Sequence, residues 1–222
     1  MNNVFDKNYE KYDAWYDKHK FAFLSELKAI KKVLPRNGKG LEIGVGTGRF
    51  AEALGIADGI DPSPSMLALA QKRGIKVCSG FGEDMPFAAG TFDHVAMIIT
   101  LCFVSDPLKV LNEAARVLKK DGKIIIGIVD KYSFLGRFYQ KKKSVFYRQA
   151  KFMSVDDVTG NLKAAGFRVV SIYQTISILP DKMKSVEEPK EGFGRGGFVV
   201  ISANKMDSGV SRESNAKKKE RA

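Results

Sequence analysis

Apolar runs rich in β-branched residues alternate with segments of helical period along most of the chain. The runs predict strands at 40–45, 57–61, 76–80, 94–100, 123–130, 168–176 and 197–205. Helices are predicted between them at 63–74, 106–122 and 154–167. Because parallel strands need a long crossover connection, this alternation indicates βαβ units and an α/β fold.

Some helix boundaries follow from single residues. Ser63 is a predicted N-cap, Pro64 suits the first helical position and Gly74 suits the residue after the end. Apolar and aromatic residues recur at threes, fours and sevens from Phe5 to Leu34. That pattern predicts a long N-terminal helical region, which ends before Pro35.

A chain of 222 residues is long enough to bury one α/β core. We expect one domain over 1–206, followed by a polar, disordered tail at 207–222. No run reaches the roughly eighteen apolar residues of a membrane span and no signal-like segment is seen, so we expect a cytoplasmic protein without a membrane span. Cys78 and Cys102 form no CxxC pair, so no metal site is predicted.

The glycine-rich run LEIGVGTGRF, residues 41–50, follows the first predicted strand. Gly44, Gly46 and Gly48 remove the side chains that would otherwise keep a ligand away from the backbone N–H groups and the next helix. A dinucleotide site has the spacing G-x-G-x-x-G, but Arg49 stands where the third glycine would be. Nicotinamide cofactors are therefore disfavoured.

Asp61 closes the second predicted strand in the run GIDPS. A carboxylate at this place can accept hydrogen bonds from both hydroxyl groups of a ribose. The combination of the glycine loop and Asp61 predicts a ligand that contains a ribose, whereas the loop alone could be only a turn.

Three segments in order, LEIGVGTGRF, GIDPSPSMLALA and GEDMPFAAGTFDHVAMIITLCFVSDPLKVLNEAARVLKKDGKIIIG, resemble the class I S-adenosylmethionine-dependent methyltransferases, in the branch that acts mostly on small molecules. The resemblance covers about residues 9–204. SFLGRFY and EGFGRGGFVVI are similar to segments of a group of short methyltransferases labelled amine (histamine-type) N-methyltransferases. The resemblance implies S-adenosyl-L-methionine as cofactor and a doubly wound, Rossmann-like sheet of seven mostly parallel strands with an antiparallel last strand and helices on both faces.

The resemblance also implies roles for individual residues around the cofactor. In these roles Glu42, Gly44, Gly46 and Gly48 surround the methionine moiety, Asp61 holds the ribose, Pro62 and Met66 flank the adenosine, Phe81, Gly82 and Glu83 contact the adenine, and Thr100 borders the methionine. The acidic residue that receives the adenine amino group in the family pattern is missing, and Phe81 stands at the start of this run instead.

In this family the N-terminal helix, here about residues 1–35, folds over the mouth of the cofactor site. Tyr12, Trp15, Tyr16 and His19 then form a pocket wall on the substrate side, although each could equally be the packed face of a helix. Methyl transfer needs alignment more than a dedicated catalytic group. If the acceptor carries a proton, His19 and Asp130 are candidate bases.

Two long connections lie at the predicted ligand edge of the sheet. The connection between the sixth and seventh predicted strands places Phe193 and Arg195 on the substrate side. The other, 131–152, contains no acidic residue from Lys131 to Lys151. It is either a solvated helix seated by its aromatic residues or a basic lid that attracts an anionic acceptor.

The predicted function is methyl transfer from S-adenosylmethionine to a small-molecule acceptor. The net charge of +12 also fits an RNA methyltransferase, but the segment after the fourth strand is TLCFVSDP, without an N-P-P-Y type motif. A non-enzymatic cofactor-binding protein is the third alternative. The acceptor atom and the oligomeric state are not predicted.

Overall fold

Eight strands form one sheet in the computed structural model, which describes residues 4–142 and 144–206. The order across the sheet is β3-β2-β1-β4-β5-β8-β6-β7. The strands are β1 (Gly40–Ile43), β2 (Asp58–Asp61), β3 (Lys76–Ser79), β4 (Phe92–Ile98), β5 (Leu118–Val129), β6 (Phe167–Thr175), β7 (Lys190–Glu191) and β8 (Phe198–Lys205). Strands β1 to β5 pair in parallel, and β8 is antiparallel to both of its neighbours, β5 and β6.

The α/β, Rossmann-like prediction is confirmed, but the described sheet has eight strands rather than seven. The additional strand is β7, which has two residues and pairs with the edge of β6. It is formed by Lys190 and Glu191, which are polar and give no hydrophobic alternation. Backbone pairing alone defines this strand, so its sequence carries no signal of it.

The helices are α1 (Val4–Lys7), α2 (Tyr9–Lys18), α3 (Lys20–Lys31), α4 (Arg49–Leu54), α5 (Pro64–Lys72), α6 (Pro107–Val117), α7 (Phe134–Lys141) and α8 (Val155–Ala164), with a 3-10 turn at Pro180–Lys182. The predicted N-terminal helical region is divided into three helices, interrupted at Asn8 and His19. His19 has φ −114° and ψ 44°, which are not helical, so the chain changes direction there.

Helix α6 is shorter than predicted and β5 is longer. The helix ends at Val117 because Leu118 is extended, with ψ 137°, and is fully buried in the core. Asp121 then has φ +60° within the long strand. The run KKDGK has no helix-breaking residue before its glycine, so there was no reason in the sequence to end the predicted helix before it.

Alternate residues of the central strands pack against helices on opposite faces of the sheet. On one face Val95, Ile124 and Ile126 pack in a cluster with residues of α6 and α8. On the other face Ala96 and Ile125 pack in a cluster with residues of α3, α4, α5 and α7. The two-residue alternation therefore gives two cores, as expected for a sheet covered on both sides.

No helix in residues 4–142 and 144–206 is long and apolar enough to cross a membrane. The predicted tail at 207–222 lies outside the described residues. The same is true of residues 1–3 of the predicted N-terminal lid and of Lys143 in the basic connection.

Candidate active site

A cleft of about 830 Å³ lies at the carboxyl ends of β1, β2 and β4. Ligands bind at this edge in open α/β sheets. The cleft is lined by nine of the eleven residues that the resemblance assigned to the cofactor, namely Gly44, Gly46, Asp61, Pro62, Met66, Phe81, Gly82, Glu83 and Thr100. The structure therefore brings most of the predicted set together, while their roles stay predictions.

Gly44 and Gly46 both have positive φ, +71° and +52°, but they differ in what surrounds them. A Cβ on Gly44 would lie 2.2 Å from Thr100 Cγ2, so the protein itself requires a glycine there. A Cβ on Gly46 would have only the Tyr12 ring nearby, at 3.8 Å. The open space beside Gly46 is therefore room for a ligand.

Gly48 does not line the cleft, and its predicted place beside the methionine moiety stays a prediction. It is the left-handed residue before α4, with φ +82°. A Cβ on Gly48 would lie 2.9 Å from Ala70 Cα in α5. Close packing of the loop on α5 therefore explains why position 48 is a glycine.

The Asp61 carboxylate is held by two backbone groups at the cleft. Its Oδ2 accepts a hydrogen bond from Gly46 N–H at 3.0 Å, and its Oδ1 accepts one from Ser63 N–H at 2.9 Å. Burial raises the pKa of Asp61, and these two hydrogen bonds oppose that rise. Each carboxylate oxygen has a further lone pair, so two ribose hydroxyl groups can still be accepted.

Glu42 is buried in β1, two residues before Gly44, and does not line the cleft. Its Oε2 has no hydrogen-bond partner among the described residues. Burial raises the pKa of Glu42 well above its usual range. A buried acceptor without a donor suits the ammonium group of a methionine moiety, so Glu42 fits its predicted role, although the lining does not place it in contact with the cavity.

Phe81 and Glu83, which are predicted to contact the adenine, both line the cleft but differ in their surroundings. The Phe81 side chain is 60% exposed and offers a free ring face. The Glu83 carboxylate instead accepts hydrogen bonds from Ser105 N–H at 2.8 Å and Ser105 Oγ–H at 2.7 Å. Partial burial opposes its ionisation, but these bonds hold the pKa of Glu83 below its usual value. Its side chain therefore organises the neighbouring loop.

Helix α1 covers the cleft, and Phe5 and Asp6 line it. Asp6 Oδ1 accepts hydrogen bonds from Ser63 Oγ–H at 2.5 Å and Ser65 N–H at 3.0 Å, which attach α1 to the start of α5. The Ser63 hydrogen bond lowers the pKa of Asp6. The N-terminal lid is thus fastened beside Asp61.

Arg49 attaches the next helix, α2, to the glycine loop. Its guanidinium group donates to both oxygens of Asp13, at 3.0 and 2.7 Å, and to Asp17 at 2.8 and 2.6 Å. Arg73 donates to the same Asp13 carboxylate at 2.9 Å. Desolvation opposes ionisation of Asp13, but the two guanidinium groups hold its pKa at about 2. The residue that replaces the third dinucleotide glycine therefore anchors the lid.

A second cavity, of about 300 Å³, adjoins the cleft. Its aromatic wall consists of Tyr12, Trp15, Tyr16, Phe103, Tyr139, Phe146, Tyr147 and Phe152. Tyr12, Ile99 and Phe103 line both cavities and form their common boundary. Three of the predicted substrate-side residues, from α2, thus lie in this wall.

Ile99 has φ +54°, which is unusual for a β-branched residue. Its N–H donates to Gly127 O at 2.8 Å, so the adjacent strand fixes this conformation. Backbone strain of this kind costs about 1–3 kcal/mol and is concentrated at functional sites. The strained residue lies at the boundary of the two cavities.

Glu26 is the main residue that the sequence analysis missed. It lies in α3, is 3% exposed and lines the second cavity. Burial raises its pKa to about 8. One signal was available, because Glu26 is four residues from both Ala22 and Ile30 and so lies on the buried stripe of its helix.

His19 and Asp130, the two candidate bases, line neither cavity. His19 Nδ1 is 2.9 Å from Trp15 O, and its Nε2 is 2.8 Å from Asp181 Oδ1. Asp130 Oδ1 accepts a hydrogen bond from Val155 N–H at 3.3 Å, at the start of α8. Both side chains therefore join elements of the fold, and their role as bases stays a prediction to which this geometry adds no support.

Phe193 and Arg195 also lie outside both cavities. The segment runs back along β6, because β7 pairs with that strand and Gln174 Oε1 accepts from Arg195 N–H at 2.8 Å. Strand β7 therefore extends the sheet edge, while the earlier part of the connection reaches the N-terminal helices, where Asp181 contacts His19. The substrate-side role of Phe193 and Arg195 stays a prediction to which the cavity lining adds no support.

A parallel sheet with a glycine loop, a carboxylate at the end of β2 and an adjoining acceptor-sized cavity defines an S-adenosylmethionine-dependent methyltransferase. The chain belongs to this family, whose cofactor is S-adenosyl-L-methionine. A family model described as a methyltransferase domain matches residues 41–126. The open space at Gly46 and the unpartnered Glu42 Oε2 fit that cofactor.

Known proteins resemble the chain over most of its length. An uncharacterized protein of Methanocaldococcus jannaschii is 50% identical over 92% of this chain and 100% of its own. A crystal structure from Thermotoga maritima, described as a SAM-dependent methyltransferase and possible histamine N-methyltransferase, has 46% identity and a TM-score of 0.89 and covers 92% of this chain and 100% of that one. A demethylmenaquinone methyltransferase of Bacillus licheniformis is 30% identical over 56% of this chain and 60% of its own.

Proposed function

We propose that this methyltransferase transfers the methyl group to a small molecule that binds in the aromatic cavity. The observation that supports this proposal most strongly is the common boundary of the two cavities at Tyr12, Ile99 and Phe103. Among the described residues these three are shared by both linings, so an acceptor in the smaller cavity would contact a ligand of the cleft at this boundary. The transfer would therefore take place across this boundary.

The cofactor supplies an electrophilic methyl group on a sulfonium, and the chain supplies alignment. Asp61, the Gly46 backbone and Phe81 would hold one partner, while the aromatic wall would hold the other. Alignment of this kind contributes up to about 7–11 kcal/mol to lowering the barrier. The lid helices α1 and α2 cover the reacting groups and would exclude water from them.

The size of the second cavity supports a small acceptor. A volume of about 300 Å³ lies at the lower end of the range for small-molecule sites. The names of two similar proteins point the same way, because one is described as a possible histamine N-methyltransferase and the other as a demethylmenaquinone methyltransferase. Neither histamine nor demethylmenaquinone is a nucleic acid.

The basic connection supports an anionic acceptor less well. Its described basic side chains are mostly at the surface, and only Lys142 among them lines the cavity. Its helix α7 is seated by Leu135 and Tyr139, which are buried. The charge therefore lies mainly on the outer surface, where it would still allow contact with RNA.

A transfer assay with S-adenosylmethionine labelled on the methyl group tests the proposal. A metabolite extract and total RNA are offered in parallel as acceptors. We expect label in the small-molecule fraction. Label only in RNA would establish the RNA alternative, and cofactor binding without transfer to either fraction would favour a non-enzymatic role. We also propose that the protein is cytoplasmic, and cell fractionation would test this location.

A further inference from the structure

The Glu26 carboxyl group lies in the wall of the aromatic cavity. Its Oε2 is fully buried and has no partner among the described residues. Glu42 Oε2 is likewise unpaired, but it is the predicted partner of the cofactor's ammonium group, whereas Asp61 is held by two backbone N–H groups. An unpaired polar group is costly to bury, so Glu26 is a group that lacks its partner.

The groups that surround Glu26 provide no donor for it. The phenol groups of Tyr12 and Tyr16 in α2 and of Tyr139 and Tyr147 near α7 feel its charge, and burial raises the pKa of all four. They are therefore neutral near pH 7. Tyr16 O–H donates to Tyr12 Oη at 2.8 Å. The charged or titratable groups that line the cavity with them are Lys11, Cys102 and Lys142.

Ring faces and a carboxylate together suit one chemical class of ligand. Aromatic faces attract cations, by about 0.5–2 kcal/mol according to how far the site is desolvated. A carboxylate adds a charge-assisted hydrogen bond to an N–H donor. An anion would keep Glu26 from ionising and could pair only with Lys11 and Lys142, which are both exposed.

We propose that the methyl acceptor is a small amine whose ammonium group pairs with Glu26, and that Glu26 Oε2 takes the proton that must leave before transfer. This inference rests on the proposed function and names its substrate class. Glu26 is then a catalytic residue, because it contacts the reacting nitrogen.

The step balances without an additional reactant. The ammonium proton moves to Glu26 Oε2 and frees the nitrogen lone pair. That pair forms the new carbon–nitrogen bond while the carbon–sulfur bond breaks with its electrons on sulfur. The products are the methylated ammonium ion, S-adenosylhomocysteine and one proton, which Glu26 releases to solvent.

Calorimetry on the protein saturated with S-adenosylhomocysteine tests the inference without turnover. The probes are 2-phenylethylamine, 2-phenylethanol and phenylacetate, which share a ring but differ in charge. We expect the amine to bind about 10- to 100-fold more tightly than the alcohol, and the acid to bind most weakly. Because an empty cavity holds Glu26 mainly protonated at pH 7, amine binding should release about one proton, seen as a binding enthalpy that depends on the buffer.

Glu26→Gln should abolish both the preference for the amine and the proton release. Glu113→Gln is the matched control, since it makes the same change at a partly buried carboxylate that lines neither cavity. Glu26→Leu is the second variant if the amide disturbs folding. We expect it to bind 2-phenylethanol with the affinity of the wild type. Equal binding of the amine by wild type and Glu26→Gln, tightest binding of phenylacetate, or no probe binding at all would overturn the inference.

The failure of the broader proposal has a different signature. If S-adenosylhomocysteine does not bind, the proposed function fails, and the role of Glu26 fails with it. If it binds and label reaches a small molecule that has no amine, the proposed function stands and only the role of Glu26 is overturned.

Discussion

Asp61 Oδ2 accepts a hydrogen bond from the backbone N–H of Gly46 at 3.0 Å, so the carboxylate at the end of β2 also fixes the glycine loop after β1. Asp61→Ala would remove the predicted hydrogen-bond acceptor of the ribose, and it would also remove the hydrogen bond that fixes the glycine loop. We expect a loss of about 1.5–3 kcal/mol of cofactor affinity, as for hydrogen bonds to a charged group. Calorimetry with S-adenosylmethionine measures it, and an unchanged affinity would contradict the ribose role.

Gly46→Val should abolish cofactor binding and leave the fold largely intact. The new side chain would fill space that only the Tyr12 ring approaches, and the positive φ would cost about 1–3 kcal/mol because valine is β-branched. Gly48→Ala is the comparison, because its Cβ would lie 2.9 Å from Ala70 Cα and should lower thermal stability more. Ligand-induced shifts in melting temperature separate the two effects, and retained binding in Gly46→Val would mean that the ligand lies farther from the loop.

Glu26 should make the protein less stable as the pH rises. Its pKa of about 8 lies above that of the unfolded chain, so the folded state binds more protons between about pH 5 and 8. Stability from this group is present at the acidic end and is lost towards pH 8, by up to about 5 kcal/mol. Urea unfolding of wild type and Glu26→Gln across this range measures it. Parallel curves for the two proteins would show that the group does not titrate there.

Asp6→Ala should weaken the closure of the lid over the cofactor. The change removes the hydrogen bonds from Ser63 and Ser65 that fasten α1 beside the cleft. We expect the cofactor to dissociate roughly 10-fold faster, in line with the loss of hydrogen bonds to a charged group. Stopped-flow displacement provides the rate, with the exposed neighbour Lys7→Ala as control. Equal rates in the two variants would show that α1 does not retain the ligand.

The parts of the fold that follow local chemistry could be predicted from the sequence. Helix α5 begins at Pro64, and the Ser63 side chain accepts from Met66 N–H, as the capping residues indicate. Strand order and the end of α6 could not be read in this way. They depend on which strands pair and on the burial of Leu118, which are tertiary effects.

The cofactor cleft was predictable for the same reason, since its residues lie next to one another at strand ends. The acceptor cavity was not, because its walls come from α2, α3, α7, the end of β5 and two loops. A single Glu in a helix such as α3 is ordinary in sequence, and only the packing of Tyr12 and Tyr147 around it shows that Glu26 is enclosed. The contact of His19 with Asp181 could not be predicted either, because the two residues are 162 positions apart.

Methyl transfer by an Ala150→Trp variant tests the central claim most directly. Ala150 lines the aromatic cavity and not the cofactor cleft, so an indole there would block the acceptor alone. We predict that affinity for S-adenosylmethionine stays within about twofold of wild type, while transfer of labelled methyl to the small-molecule fraction falls about 100-fold or more. Transfer at the wild-type rate by this variant would contradict the claim that the acceptor binds in this cavity.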